Sequence, residues 1–352
     1  MSLISKISSN KKFKDIIQNT QEKTVTEFYH SGSITLNLLL SGKVNGGIPR
    51  GKVTMLAAPR SHYKSIIALL SAGSAQKKGN LVIWIDSEFA FDVKTALMFG
   101  VDLSPEKFLL IQDNSIENVQ SFIMNTFEGY KEKEDGKVFM VLDSIGTLIT
   151  SKTLEDSIEG KDVSDMTVSK KKNNLAKLLL RVSGLNNITV VLINHVYAGM
   201  SMYDTGTISG GSGSQYVASS ILKITSKAKD KDKDGDVGGN IMTANTEKGR
   251  MARENSKLKF RASYEDGINT YYGILEDALE GGYIDKPSVG WYSRPNISEE
   301  SDKKFRESEL YNKDFWTPIF KETDLKSYLE TKYSYEDSMT GLEKIYDTEF
   351  EV

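Results

Sequence analysis

The stretch KVTMLAAPRSHYKSIIALL, residues 52–70, decides the fold of this chain. Its first part is apolar and predicts a buried strand, and its last part, from Ile66 onward, has the composition of a helix. A tight loop that ends in Lys64 and Ser65 connects them. Such a loop suits phosphate oxygens, because its backbone N–H groups and the helix N-terminus surround them. The candidate nucleotide-binding residues are Pro59, Arg60, Ser61, His62, Tyr63, Lys64 and Ser65.

The loop departs from the usual pattern G-x-x-x-x-G-K-[ST] at both glycines, which are Ala58 and Tyr63 in this chain. In that pattern Lys64 would neutralise the β and γ phosphates of a nucleotide, and the hydroxyl of Ser65 would reach Mg²⁺. Taken alone the loop is a weak match. An ordinary strand–turn–helix with a surface Lys64 is the alternative interpretation.

Four runs are nearly all apolar, as expected for parallel strands covered on both faces: residues 52–56, 81–86, 138–143 and 188–193. The stretches between them have the length and the pattern of helices, which we predict at residues 66–77, 119–131 and 168–183. This alternation predicts a doubly wound α/β core with a mostly parallel, twisted sheet.

Polar side chains follow the predicted strands. The second run leads to Glu88, the third ends at Asp143, and the fourth is followed by His195. Because α/β sheets bind ligands at the carboxyl ends of their strands, these residues should meet beside the loop. There Glu88 would polarise an attacking water, Asp143 would hold Mg²⁺ together with Ser65, and His195 would contact the γ-phosphate. Strands that all end in this way predict a site for ATP and Mg²⁺.

The pattern changes after the core. Apolar runs at residues 221–225, 240–245 and 258–264 follow one another without helices, which predicts an antiparallel extension. The alternating charges of residues 227–236 predict a solvated hairpin tip. We therefore divide the chain into an N-terminal helical segment (1–30), an ATPase-like core (31–268) and a small C-terminal α+β domain with an acidic tail (269–352).

Composition narrows the function classes. The chain has 352 residues, no cysteine and a net charge of −3, so it offers neither disulfides nor thiolate metal sites and shows no overall basic character. The only histidines are His30, His62 and His195, which lack the paired spacing of a metal site. The sequence contains no G-x-S-x-G motif, so it does not indicate a serine hydrolase. We expect no secretory signal, no membrane association and a cytoplasmic location.

Several short motifs resemble the RecA family, and in particular its phage recombinases: GGIPRG at residues 46–51, DSE at 86–88, FGVD at 99–102, VSDMT at 163–167 and YIDKPSVGWY at 283–292. The similarity extends over nearly the whole chain. It implies a RecA-like ATPase core in a DNA-dependent ATPase that forms a helical filament on single-stranded DNA. Such a filament pairs its strand with homologous duplex DNA in recombination, repair and replication.

The resemblance also assigns roles around the nucleotide. Lys64 and Glu88 match the loop lysine and the catalytic glutamate, and Ser65 and Asp143 match the metal-binding pair. His195 stands where the family has a glutamine that senses the γ-phosphate. Lys248 and Arg250 match a basic pair that reaches the neighbouring subunit's ATP. Without the resemblance, the sequence around these two residues favours a solvated turn. Where the family places a tyrosine against adenine this chain has Thr95, and nearby Asp92 could contact the base.

DNA is assigned to two segments, residues 150–167 and 198–215, which line the filament axis in the family. The candidate DNA-binding residues are Met166, Lys171, Met200, Met202, Tyr203, Gly210 and Gly211. The run Lys170–172 is otherwise typical of a solvated helix face. The N-terminal segment would dock on its own core or on the next subunit, and a recombination mediator and a single-strand-binding protein are expected partners.

Two other interpretations remain open. A hexameric, helicase-like motor has the same core but closes into a ring. A DNA-binding accessory subunit that no longer hydrolyses ATP would explain the substitutions at Ala58, Tyr63 and Thr95.

Overall fold

The structure is a computed structural model that describes residues 24–160, 167–197, 206–209, 213–231, 237–265, 267–297 and 303–335. The strands in this part of the chain are β1 (Phe28–Tyr29), β2 (Ile48–Pro49), β3 (Val53–Ala58), β4 (Asn80–Asp86), β5 (Phe108–Gln112), β6 (Lys137–Asp143), β7 (Thr189–Tyr197), β8 (Thr207–Ile208), β9 (Ser220–Lys231), β10 (Val237–Gly249), β11 (Lys257–Ser263), β12 (Gly267–Ile268), β13 (Asp285–Ser288), β14 (Trp291–Ser293) and β15 (Lys304–Arg306).

The helices in the same residues are α1 (Ile34–Ser41), α2 (Lys64–Gln76), α3 (Val93–Met98), α4 (Ile116–Phe127), α5 (Glu132–Asp135), α6 (Ser151–Ile158), α7 (Val168–Asn186), α8 (Gly213–Val217), α9 (Leu275–Glu280), α10 (Lys313–Glu322) and α11 (Leu325–Tyr333). A 3₁₀ turn lies at Glu307–Glu309. None of the helices described is both long enough and apolar enough to cross a membrane. Most of the predicted N-terminal helical segment lies outside the described residues, and residues 24–30 contain β1.

One large sheet forms the core, with the strand order β12-β11-β10-β9-β3-β7-β6-β4-β5, and β8 pairs with β7. The strands from β9 to β5 in this order are parallel, and β10, β11 and β12 are antiparallel. The four predicted core strands are confirmed as β3, β4, β6 and β7. The edge strand β5 was not predicted.

Helices cover both faces of the sheet. Ile67 and Ala72 of α2 pack on one face with Trp84, while Leu175 and Leu179 of α7 belong to the cluster on the other face. Since neighbouring residues of a buried strand point to opposite faces, near-continuous apolar strands are needed to fill both clusters. The predicted doubly wound α/β core is confirmed, and α2, α4 and α7 are the three predicted helices.

The helix α4 begins and ends earlier than predicted, at Ile116 and Phe127 rather than at residues 119 and 131. Its start is fixed by Ser115, whose hydroxyl accepts a hydrogen bond from the backbone N–H of Asn118 at 3.3 Å. Its end is fixed at Glu128, which has an extended backbone (φ −67°, ψ 117°). Short polar side chains at helix starts carry this information, whereas apolar periodicity does not.

The predicted antiparallel extension is present, and residues 227–231 of the predicted solvated tip are largely exposed, but they form strand instead of a turn. These residues continue β9, and β10 begins at Val237. Two of their charges are engaged: Lys227 donates to the backbone carbonyl of Ser61 at 3.3 Å, and Asp230 pairs with Arg261 at 2.5 Å. Residues 232–236 lie outside the described part of the chain.

The C-terminal unit has its own antiparallel sheet, β13-β14-β15, and the helices α9, α10 and α11. Its core is built around fully buried Trp316, and Leu38 of α1 belongs to the same cluster. Other apolar side chains of α1, such as Leu36 and Leu40, belong to the core cluster of the large sheet. The helix α1 therefore joins the two units, and β12 ends the large sheet at Ile268.

Candidate nucleotide-binding site

The phosphate-binding loop lies at the carboxyl end of β3, and α2 begins at its last lysine, Lys64. Two of its residues have backbones in the left-handed region, Ser61 (φ 57°) and Tyr63 (φ 64°). This winding places the loop around the N-terminus of a 13-residue helix, whose first N–H groups have no partner within the helix. Backbone donors of this kind suit an anion such as a nucleotide phosphate.

The two consensus glycine positions differ in what they require. Ala58 is the last residue of β3, in extended conformation and fully buried, so a side chain there is compatible with the backbone. Tyr63 has the left-handed conformation that glycine adopts without steric cost (φ 64°, ψ 13°), and a residue with a Cβ atom is destabilised there by about 1–2 kcal/mol. Of the two substituted glycine positions, only Tyr63 therefore carries backbone strain.

Lys64 points into the mouth of the loop. Its ammonium donates to the backbone carbonyls of Ala58 (3.0 Å) and Pro59 (2.8 Å). Burial lowers the pKa of Lys64, and the nearby carboxylates of Asp143 and Glu88 oppose that shift. Lys64 lines the cavity beside the loop, so its ammonium is well placed to bind a phosphate group.

Ser65 and Asp143 form the predicted metal-binding pair. The Ser65 hydroxyl donates to Oδ2 of Asp143 at 2.7 Å, so the two oxygen atoms already lie within reach of one cation. Both are oxygen donors of the kind that Mg²⁺ prefers, and Mg²⁺ often binds through one carboxylate plus substrate phosphates. Within the described residues, no group of three or more histidine, cysteine, aspartate or glutamate side chains is arranged so that it could hold a metal ion.

Asp143 lies among other acids. Burial, together with the charges of Glu88 and Asp86, raises the pKa of Asp143 to about 6, and the Ser65 hydrogen bond acts in the opposite direction. Asp86 itself shapes the following turn, because its carboxylate accepts from the backbone N–H groups of Glu88 (3.1 Å) and Phe91 (2.9 Å). The excess of negative charge around Asp143 favours a cation at this position.

The predicted catalytic glutamate and the predicted phosphate sensor are in direct contact. Nε2 of His195 lies 2.8 Å from Oε1 of Glu88, and the same oxygen accepts a hydrogen bond from Ser144 at 2.7 Å. The hydrogen bond from His195 lowers the pKa of Glu88 to about 2, with burial opposing the shift. Glu88 is therefore ionised at neutral pH and can orient a water molecule as a base.

The sequence did not predict the hydroxyl groups that surround Glu88. Ser87 donates to the backbone carbonyl of Ser144 at 2.6 Å and lies 2.7 Å from the Thr147 hydroxyl. The Ser144 amide donates in return to the Ser87 hydroxyl at 2.9 Å. A signal was present, because Asp-Ser occurs at the ends of both β4 and β6, and Asp86 pairs with Asp143 in the sheet register.

A second set of contacts leads from His195 to the next segment of the chain. The backbone carbonyl of His195 accepts from the Ser209 amide at 2.9 Å. The side chain of Asn194 accepts from the Ser209 hydroxyl (2.8 Å) and donates to the Ser209 carbonyl (3.0 Å). Ser209 belongs to the predicted DNA-binding segment 198–215, so this segment is bound to the strand that carries His195.

Most of the predicted nucleotide residues surround one cavity of about 470 Å³. Its lining residues are Arg60, Ser61, His62, Tyr63, Lys64, Ser65, Ile66, Glu88, Asp143 and His195. Pro59 is not among them, and neither is Asp92. Its carboxylate caps α3 by accepting from the backbone N–H and the hydroxyl of Thr95, both at 2.7 Å.

Lys248 and Arg250 lie away from this cavity. They lie at the end of β10, where Gly249 pairs with Ser220, and Ser220 in turn pairs with Thr54 near the start of β3. Lys248 donates to the carbonyls at positions 215 (3.2 Å) and 216 (3.1 Å), and burial together with the Arg250 charge lowers its pKa. Within one subunit the basic pair is therefore at the opposite end of the sheet from the loop.

The predicted DNA residues Met166, Met200, Met202, Tyr203, Gly210 and Gly211 lie outside the described residues. Lys171 is described and forms an ion pair with Glu117 of α4. Its neighbour Lys172 is buried and donates to the carbonyl of Gly146 at 2.6 Å. The interpretation of this lysine run as a solvated helix face is therefore wrong for Lys172.

The sequence matches two known protein families over most of its length. The RecA N-terminal domain family matches residues 2–269, and the C-terminal domain family of the bacteriophage T4 recombination and repair protein matches residues 271–329. The chain therefore belongs to the RecA family. It is similar to the recombination and repair protein (UvsX) of Enterobacteria phage T4, with 31% identity over 329 residues that cover 89% of this chain and 82% of the relative. The chain is 29% identical to the protein RecA of Gluconobacter oxydans, and the alignment covers 80% of each protein. It is 27% identical to the protein RecA of Paracoccus denitrificans, and the alignment covers 78% of this chain and 75% of the relative.

Proposed function

We propose that this chain is an ATP-dependent recombinase that assembles into a helical filament on single-stranded DNA and pairs it with homologous duplex DNA. The observation that carries the proposal is the arrangement of Lys64, Ser65, Glu88, Asp143 and His195 around one cavity, in a chain of the RecA family. Recombination, repair and recombination-dependent replication of phage DNA are the processes it would serve.

Each residue has a role that follows from its chemistry. Lys64 and the N–H groups of the loop bind the β and γ phosphates of ATP. Ser65 and Asp143 would hold Mg²⁺, which neutralises negative charge on the phosphates during transfer. Glu88 is an ionised carboxylate with one oxygen held by Ser144 and His195, so it can orient the attacking water and accept its proton.

Coupling to DNA is assigned to His195 and the segment that follows it. His195 contacts Glu88 through its side chain and Ser209 through its backbone, so a displacement of residues 198–215 by DNA changes the position of Glu88. We propose that the segments 150–167 and 198–215 contact DNA, with these contact residues: Met166, Lys171, Met200, Met202, Tyr203, Gly210 and Gly211. A loading mediator and a single-strand-binding protein are proposed partners of the filament.

The site is proposed to be completed by a second copy of the chain. Lys248 and Arg250 are too far along the sheet to serve their own subunit, but cations at the end of β10 can reach the nucleotide of a neighbour in a filament. Charge supplied in this way stabilises the transferring phosphoryl group, as an arginine finger does. The N-terminal segment 1–30 would provide the docking contact between subunits.

The deciding experiment measures ATP turnover with and without single-stranded DNA, with Lys64→Ala as the matched inactive control, and joint-molecule formation in the same samples. We expect hydrolysis that is stimulated by DNA in the wild type and absent in Lys64→Ala. Nucleotide binding without hydrolysis in the wild type would favour the accessory-subunit alternative. Closed rings instead of open helical filaments in electron micrographs would favour the helicase-like motor.

The trans role has its own test. Lys64→Ala protein and a Lys248→Ala/Arg250→Ala protein are assayed alone and then mixed on single-stranded DNA. Each is expected to be inactive alone, and activity should reappear in the mixture, because some interfaces then combine an intact loop with an intact basic pair. A mixture as inactive as its components would contradict the assignment.

A further inference from the structure

The loop residue Tyr63 needs external support for its conformation. It occupies the second consensus glycine position with φ 64° and ψ 13°, and Ser61 two residues earlier has φ 57°. Residues with a Cβ atom disfavour this region, so a free loop of this sequence would populate other backbone conformations. The contacts that hold these two residues therefore decide how often the loop is ready to bind a phosphate.

Tyr63 is held by a side chain of β10. Its phenol oxygen accepts a hydrogen bond from Nδ2 of Asn240 at 2.9 Å. Asn240 is only 2% exposed, and its amide also approaches the hydroxyl of Tyr264 on the neighbouring segment at 3.4 Å. The Tyr63 ring packs against the core cluster on the same face of the sheet. A buried amide with a defined position is a rigid anchor for an otherwise strained loop residue.

Ser61 is held by a side chain of β9. The ammonium of Lys227 donates to the Ser61 carbonyl at 3.3 Å and lies 5.9 Å from the centre of the Tyr63 ring. Both loop residues with left-handed backbones are thus contacted from the two long strands β9 and β10. Lys227 is exposed, so its contact is weaker than that of Asn240.

The register of the sheet explains why these strands reach the loop. The parallel pairing of β9 with β3 ends at Lys223, opposite Ala57, while β9 itself continues to Lys231. Four residues beyond Lys223 a strand has advanced by about 13 Å, which carries Lys227 past the carboxyl edge of the sheet. The strand β10 returns antiparallel alongside it and brings Asn240 under the loop.

We propose that Tyr63, Asn240 and Lys227 form a latch that positions the phosphate-binding loop for nucleotide, in place of the flexibility that glycine provides in the usual pattern. The latch rests on the proposed ATP-binding function and adds the β9–β10 extension to the nucleotide site. Its three members are positioning residues, since they act through the backbone of the loop. Without the latch, the loop is competent for a smaller fraction of the time, and the apparent affinity for ATP falls by that fraction.

The test compares Asn240→Ala in two backgrounds, the wild type with Tyr63 and the variant Tyr63→Gly. In the wild type, Tyr63→Phe and Asn240→Ala should each weaken Mg-ATP binding by about fivefold, the typical value of one neutral hydrogen bond. KM for ATP should rise more than kcat falls. With glycine at position 63 the loop no longer depends on the phenol, so Asn240→Ala should change the dissociation constant by less than about twofold.

A purely structural role for Asn240 predicts a different pattern. Its loss would then weaken ATP binding by the same factor in both backgrounds, and that outcome overturns the latch. Wild-type affinity in Tyr63→Phe, which keeps the ring and removes only the hydroxyl, also overturns it. Thermal unfolding without nucleotide identifies variants that do not fold. If Asn240→Ala is among them, Tyr63→Phe and the lysine variants below decide the question.

Matched controls are available on the same strands. Lys227→Met should weaken ATP binding by about threefold, as expected for an exposed cation over an aromatic ring, whereas Lys229→Met on the same face of β9 removes equal charge and should not. Asn245→Ala on β10 removes an amide that contacts Glu247 instead of the loop. Equal effects of Lys227→Met and Lys229→Met would argue against the contact with the loop.

The proposed function is tested separately by Lys64→Ala. If the wild type binds ATP, Lys64→Ala does not, and Tyr63→Phe binds as the wild type does, the latch has failed and the proposed function stands. If the wild type itself does not bind ATP, the proposed function has failed, and the latch falls with it.

Discussion

The phosphate-binding loop after β3 and the polar ends of β4, β6 and β7 line the same cavity, but they depend on the sequence in different ways. At the strand ends the side chains are proposed to carry the chemistry, and they hold one another, as Glu88, Ser144 and His195 do within 2.8 Å. In the loop the backbone N–H groups and Lys64 are proposed to bind the phosphates, and side chains such as Tyr63 serve mainly to fix the backbone. Except at Lys64 and Ser65, we therefore expect substitutions in the loop to be tolerated wherever the backbone conformation is kept, whereas the strand ends require particular chemical groups.

The largest effect should come from Glu88→Gln, which keeps the shape of the side chain but removes the base. We expect DNA-stimulated ATP hydrolysis to fall by at least about 100-fold, the usual size of a general-base contribution. The dissociation constant for Mg-ATP should change little, because Glu88 is assigned to the water and not to the phosphates. Steady-state turnover measures the effect on hydrolysis, and equilibrium binding measures the effect on Mg-ATP affinity. Loss of binding equal to the loss of turnover would show that Glu88 supports the site instead of the reaction.

A smaller effect is expected at His195, which links Glu88 to the segment 206–209. His195→Ala removes the contact with Glu88, and we expect the stimulation of hydrolysis by single-stranded DNA to fall by about tenfold, since a hydrogen bond to a charged group contributes about 1.5–3 kcal/mol. His195→Gln retains a donor and should restore part of the stimulation. The measurement is the ratio of turnover with and without DNA. Equal ratios in the alanine variant and the wild type would remove His195 from the coupling.

The variant Ser144→Ala tests a second contact of Glu88 at the strand ends. It removes one hydrogen bond to Glu88 of 2.7 Å and leaves the contact with His195 in place. We expect turnover to fall by about threefold to tenfold, because Glu88 is then held by one partner instead of two. Thr147→Ser, which keeps a hydroxyl beside Ser87, is a suitable control. A larger loss than in His195→Ala would mean that the hydroxyl groups, and not the imidazole, fix the carboxylate.

The fold could be predicted where the apolar pattern is simple. Strands buried on both faces are nearly all apolar, so β3, β4, β6 and β7 were found. The edge strand β5 was not, because Leu109 and Leu110 are partly exposed and its apolar run is short. The helix α1 was missed for the opposite reason. Each of its residues, from Ile34 to Ser41, is buried, so its sequence lacks the polar face by which a helix is recognised.

The site could be predicted as a set of strand ends but not as a set of contacts. Periodicity places Glu88 and His195 at one edge of the sheet, yet it carries no information about the orientation of their side chains. Lys227 shows a further limit. Alternating charges usually indicate a solvated turn, and only the register of β9 against β3 reveals that this lysine lies over the loop. Contacts between segments that are distant in sequence depend on such registers.

The smallest effect is expected at Ala58, and it tests the loop side of the comparison directly. If the backbone conformation decides what the loop tolerates, Ala58→Gly should change ATP binding by less than about twofold, because this residue is extended at the end of β3 and gains nothing from left-handed freedom. The variant should instead lower the thermal stability slightly, by roughly 0.5–1 kcal/mol, since glycine within a strand loses more conformational entropy on folding. Equilibrium binding and thermal unfolding of the same protein give both values. A marked gain in ATP affinity would show that the methyl group of Ala58, and not only the backbone at Tyr63, restricts the loop.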